Sequence, residues 1–210
     1  MKCSEVGSFL GLMSLLSGCG GTVFPLDRHD GLQPFKPENA IVVGRVSEGF
    51  LTQPHGLYVY IRSVENKFGD KRAGITPATL QLSNNMMPYD DVDAHPNRLA
   101  NFFVYEVPPG AYTVERWTYH YYAGASLPSP ARLEFTVQPG EVAYIGDLHG
   151  VALTMCLSNR DNYAETVAKL KAYFPTLQNA SIANKAGELK VKGWPHDRST
   201  AFFGKALCEL

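Results

Sequence analysis

From residue 40 to residue 157 apolar side chains recur at alternate positions, in short runs broken by Pro and Gly. Residues 40–46 are mostly apolar, and Leu57, Val59 and Ile61 alternate with Tyr58, Tyr60 and Arg62. A period of two sends successive side chains to opposite faces, the mark of a half-buried strand. Residues 102–107 run into Pro108-Pro109-Gly110 and are answered by 111–121, which predicts two antiparallel strands joined by a turn, Pro setting φ and Gly accepting a positive one. Leu133, Phe135 and Val137 alternate with Arg132, Glu134 and Thr136, then Gln138-Pro139-Gly140 turns the chain into 142–148, and 151–157 supplies a further strand. Strands at this spacing predict a mainly β chain, an antiparallel sandwich or barrel in which each sheet buries its apolar face against another.

The periodicity changes after residue 157. Tyr163, Val167, Leu170 and Phe174 fall on one face of a helix, Asn162 and Glu165 have the spacing of a capping box, and Pro175 stops the run. The expectation is one C-terminal amphipathic helix packed on a sheet, within an extension covering 158–210. Its remainder, from Gly187 through Trp194 to Phe203, offers at most a short strand.

The first residues read as an address before they read as structure. Lys2 precedes an apolar run from Val6 to Leu16, too short for the roughly 20 residues that cross a bilayer. It ends in Leu16-Ser17-Gly18-Cys19, which resembles the lipobox of bacterial lipoprotein precursors. The resemblance implies a signal peptide over 1–18 and a mature N-terminus at Cys19 carrying diacylglycerol and an N-acyl chain. Two or three chains make such an anchor effectively permanent. Gly20 stands where an aspartate would favour the inner membrane, so the implied location is the outer membrane, facing the periplasm. Residues 19–39, with Gly20, Gly21, Pro25, Gly31, Pro34 and Pro37, read as a flexible tether with a span of roughly 25 Å. The sandwich then occupies 40–157.

Composition narrows the partners. A net charge of −1, with no basic cluster, argues against nucleic acid. About 190 mature residues suffice for one hydrophobic core. Once Cys3 leaves with the leader and Cys19 takes lipid, Cys156 and Cys208 are the pair left to bridge in an oxidising compartment; two buried free thiols are the alternative.

The run 107–114, Val-Pro-Pro-Gly-Ala-Tyr-Thr-Val, followed by 135–146 with Pro139-Gly140-Glu141 and Tyr144-Ile145-Gly146, resembles bacterial lipoproteins carrying a prealbumin-like or carboxypeptidase-regulatory-like sandwich. The resemblance implies an Ig-like or prealbumin-like fold and an envelope location; it implies no reaction and no catalytic residue.

Four groups bear on chemistry. Gly146-Asp147-Leu148-His149-Gly150 resembles the first metal motif of calcineurin-like metallophosphoesterases, where Asp and His hold one ion of a two-metal pair. No second Gly-Asp and no Asn-His pair follows, and a strand ending in a polar turn is the plainer reading. Asp91, Asp93 and His95 alternate in an acidic loop that could meet a cation, without the Gly or closing Glu of a calcium loop. Trp117, Tyr119 and Tyr121 share one face of a strand, either as an exposed row for sugars or a partner or as ordinary core. No Gly-x-Ser-x-Gly elbow is present, and Cys156 sits in an apolar run without a basic neighbour, so no nucleophile is indicated. The expectation is a lipid-anchored, non-enzymatic binding or structural module without a cofactor, its partners the membrane and an envelope protein or peptidoglycan. The alternative is a metal-dependent hydrolase using Asp147, His149 and the 91–95 loop.

Overall fold

The computed structural model describes residues 24–25, 35–65, 80–84, 97–129, 132–202 and 208. These residues are mainly β, in two mostly antiparallel sheets that share a core. In chain order the strands are β1 (Phe24–Pro25), β2 (Ala40–Gly49), β3 (Leu57–Ser63), β4 (Leu80–Ser83), β5 (Arg98–Val107), β6 (Gly110–Tyr119), β7 (Glu134–Val137), β8 (Val142–Val151), β9 (Cys156–Arg160), β10 (Ile182–Asn184) and β11 (Trp194–Pro195). Helix α1 (Tyr163–Tyr173) lies between β9 and β10, and α2 (Asp197–Phe202) follows β11. The larger sheet has the order β1-β5-β2-β8-β9-β11, with β10 also paired to β8; the smaller has the order β4-β3-β6-β7.

The larger sheet is not wholly antiparallel. Strand β2 pairs with β8 in parallel, as does β10, while every pairing of the smaller sheet is antiparallel. The two Pro-Gly turns are also not hairpins. Strand β5 belongs to the larger sheet and β6 to the smaller, and the same holds for β8 and β7. Each turn is therefore a corner that carries the chain from one sheet to the other. Pro108 and Pro109 have no N–H with which to extend a ladder, and the Tyr112 hydroxyl donates to the Pro108 carbonyl, closing that corner. At the second corner Gly140, with φ 71°, donates its N–H to Asn39 O at 2.7 Å.

Between the sheets lies a core of Val42, Val46, Val59, Ile61, Phe103, Tyr112, Val114, Trp117, Ile145 and Leu148, among others. A second cluster lies on the other face of the larger sheet, where Val167, Leu170, Phe174 and Leu177 meet Ile41, Val43, Phe102, Val104 and Tyr144. Each buried aliphatic or aromatic side chain contributes about 1.5–3 kcal/mol to such a face. Helix α1 ends before Pro175, which opens a short 3-10 turn at Pro175–Leu177. Asn162 precedes the helix but makes no side-chain cap, its amide being engaged elsewhere.

Two irregularities decide which side chains face where. In β6 an extra residue opposite Tyr60 and Ile61 changes the phase, so Tyr112 and Val114 point inward before it and Trp117 and Tyr119 after it. In β8 the register with β2 shifts across Gly146, after Ala143 and Ile145 have pointed inward and before Leu148 does. Gly146 has φ 121°, and a Cβ there would strike the Asn159 amide. The bulge thereby brings Asp147 and His149 to the face that α1 covers.

The segment read as a tether is partly docked. Phe24 and Pro25 pair with Glu106 and Tyr105 at the sheet edge, and Phe35 packs against the α1 cluster. Cys156 and Cys208 are joined by a disulfide with Cα atoms 5.6 Å apart, which fastens the end of the chain to β9.

Candidate functional site

Asp147 and His149 lie within β8, not in a turn at its end. The Asp147 carboxylate is buried and fully engaged. Its Oδ2 accepts from Arg45 Nη2 at 2.7 Å, Arg45 Nε at 3.1 Å and Asn162 Nδ2 at 3.0 Å, and its Oδ1 accepts from Ser47 Oγ at 2.8 Å. Arg45 reaches on to Glu165 at 3.4 Å, and Glu165 to Lys169 at 3.1 Å. Arg45 and Asp147 are register partners on the neighbouring strands β2 and β8, which makes their two side chains meet on one face.

Ser47 links Asp147 to His149, whose Nδ1 lies 2.8 Å from the hydroxyl. The single hydroxyl hydrogen is committed to the carboxylate, so Nδ1 carries the proton and donates to Ser47. Burial pushes His149 down to about 4; Arg160, Arg45 and Arg98 add to this and Asp147 opposes it. The imidazole is therefore neutral at neutral pH. Its Nε2 edge lies over Gly49, where a Cβ would stand 3.5 Å away.

This arrangement does not fit the metal site that the Gly-Asp-Leu-His-Gly segment suggests. A guanidinium and two further donors occupy the Asp147 oxygens that would face an ion, and a buried Arg–carboxylate pair is costly to separate. Among the described residues no three His, Cys, Asp or Glu side chains are grouped to hold a metal. Asp91, Asp93 and His95 lie outside the described residues, as does Cys19.

The aromatic row is divided. Trp117 and Tyr119 are core residues, 0 % and 1 % exposed, and cannot present a binding face. Tyr121 lies beyond the end of β6, where strand alternation no longer applies, and is 68 % exposed.

Tyr121 lines a cavity of about 330 Å³ together with Gln53, Pro54 and Gly56. The wall holding Gln53 and Pro54 is anchored from behind by Glu48, a fully buried carboxylate at the end of β2. Glu48 accepts from His55 N at 2.8 Å, His55 Nδ1 at 3.0 Å, Gly56 N at 3.0 Å and Asn84 Nδ2 at 3.2 Å. Backbone bonds join the two walls, His120 N to Gly56 O at 2.8 Å and Tyr121 N to His55 O at 3.3 Å. Tyr122 stacks on His55 at 4.8 Å, and burial, with Glu48 nearby, pushes the Tyr119 phenol well up. Of this site sequence reading names only Tyr121, because Glu48 and His55 carry no motif and converge through a loop whose path only the fold reveals. The one available signal was a lone acidic residue closing an apolar strand. Comparison with protein-family models, with curated proteins and with solved structures finds no match to this chain.

Proposed function

We propose that this chain is a lipid-anchored lipoprotein of the bacterial envelope whose sandwich, prealbumin-like or Ig-like with its C-terminal helix packed on one face, acts as a non-enzymatic binding module. The observation that carries the reading is the engagement of Asp147: the residue best suited by sequence to catalysis is spent on Arg45, Ser47 and Asn162. The open chemistry lies instead at the preformed cavity beside Tyr121. The anchor rests on the lipobox at Cys19, and the outer membrane on Gly20 after it. Because β1 begins at Phe24, five residues beyond Cys19, a lipid there would hold the sheet edge within roughly 17 Å of its attachment point.

Palmitate labelling and membrane fractionation of the full chain test the anchor. Labelling and sedimentation with membranes are expected, both lost in Cys19→Ala; a variant that stays labelled and membrane-bound overturns it. Metal analysis tests the rest, since stoichiometric Mn, Fe or Zn that is lost in Asp147→Asn would replace the binding module with a metalloenzyme.

A further inference from the structure

We infer that the cavity between residues 50–56 and the end of β6 is a subsite for one neutral pyranose ring of a larger glycan. The inference rests on the binding-module reading and names its ligand class.

The lining decides the class. Among the described residues the cavity presents one aromatic ring, Tyr121, one primary amide, Gln53, the Pro54 ring and the Gly56 backbone, and no side chain that is charged at neutral pH. The described lining therefore favours neither a cation nor an anion. A single ring is also too little apolar surface to hold a wholly apolar ligand. A pyranose has the complementary mixture: a C–H face that stacks on an aromatic ring, and hydroxyl edges that exchange hydrogen bonds with a primary amide. The volume, about 330 Å³, stands at the small end of ligand pockets and suits a ring or two.

The site is built rather than incidental. Three donors from the 50–56 wall are held by the buried Glu48 carboxylate, and two backbone bonds join that wall to the Tyr121 wall, so little order remains to be gained on binding. The surface continues beyond the cavity. His120, also exposed, stands edge-on to Tyr121 at 4.8 Å, which places a second ring beside the cavity for the neighbouring sugar of a chain.

The test is saturation-transfer NMR and calorimetry on the detergent-solubilised full chain, with chitotetraose, cellotetraose and maltotetraose as probes. Binding of at least one tetrasaccharide is expected at micromolar to millimolar concentration. Tyr121→Ala should weaken it at least tenfold while Tyr121→Trp retains it, and Gln53→Ala should weaken it with unchanged thermal unfolding. Tyr121 is exposed, so its replacement leaves the core intact. Absence of binding by all three at 10 mM, a concentration chosen at about the weak limit of useful affinity, overturns the inference, as does binding indifferent to Tyr121→Ala. If the sugars fail but an envelope protein crosslinks to the anchored chain through Tyr121, the glycan assignment falls and the binding module stands. If the chain proves to be a metal-dependent hydrolase, the module itself falls.

Discussion

A carboxylate inside a sheet persists only when its lone pairs are met, and Asp147 meets this condition with two donor residues from β2 and a third, Asn162, just before α1. His149 shares the burial but not the charge. Its folded value of about 4 lies below the roughly 6.5 of an unfolded histidine, so between those values the unfolded chain takes up the proton first. The stability contributed by burying neutral His149 is complete above about pH 6.5 and is lost progressively as pH falls to about 4, a loss of roughly 3 kcal/mol. Urea unfolding at pH 7.0, 6.0 and 5.0 should show this decline. In His149→Asn, which can still donate to Ser47, the decline over the same range should be shallower; equal slopes in the two proteins would refute the neutral-burial account. The residue types at 147 and 149 are plain in the sequence, but their employment is not, since Arg45 lies 102 positions from Asp147 and nothing local announces the pair.

At the scale of elements, alternation locates the strands well and their inward faces poorly. Period two puts Trp117, Tyr119 and Tyr121 on one side without saying which side, and it assumes an unbroken phase. The extra residue in β6 and the bulge at Gly146 in β8 each reverse that phase partway along the strand. Without the second reversal Asp147 and His149 would follow Ile145 into the sandwich core. Gly146→Ala tests this element directly. The substitution places a side chain at φ 121° and against the Asn159 amide, so a loss of at least about 2 kcal/mol is expected from strain alone. Thermal unfolding would report it, and a variant as stable as the parent would show that the bulge can move. The corners escape the pattern for a related reason: Pro-Gly identifies where a strand ends but does not identify which sheet receives the next one.

For the whole molecule, the mainly β class could be read from the chain, whereas the parallel pairings could not, because a parallel partner leaves no turn signature. The disulfide belongs to this scale too, since Cys156 and Cys208 are 52 positions apart and the bridge closes over α1, β10, β11 and α2. On the chain-entropy account, opening a loop of that length costs about 4 kcal/mol. Cys208→Ser, or dithiothreitol added to the parent, should lower the denaturation midpoint accordingly, and the reductant should leave Cys208→Ser unaffected; a parent insensitive to reductant would contradict this. The pairing of β2 with β8 also sets a timetable. A chain that emerges amino end first presents β2 early, but the strand that completes the middle of its sheet ends only at Val151. Until then β2 lacks that partner, and long-range pairing of this kind is slow, on the order of milliseconds to seconds. The newly made chain is thus without its central seam until β8 has emerged, and what is made before Val151 cannot close the larger sheet.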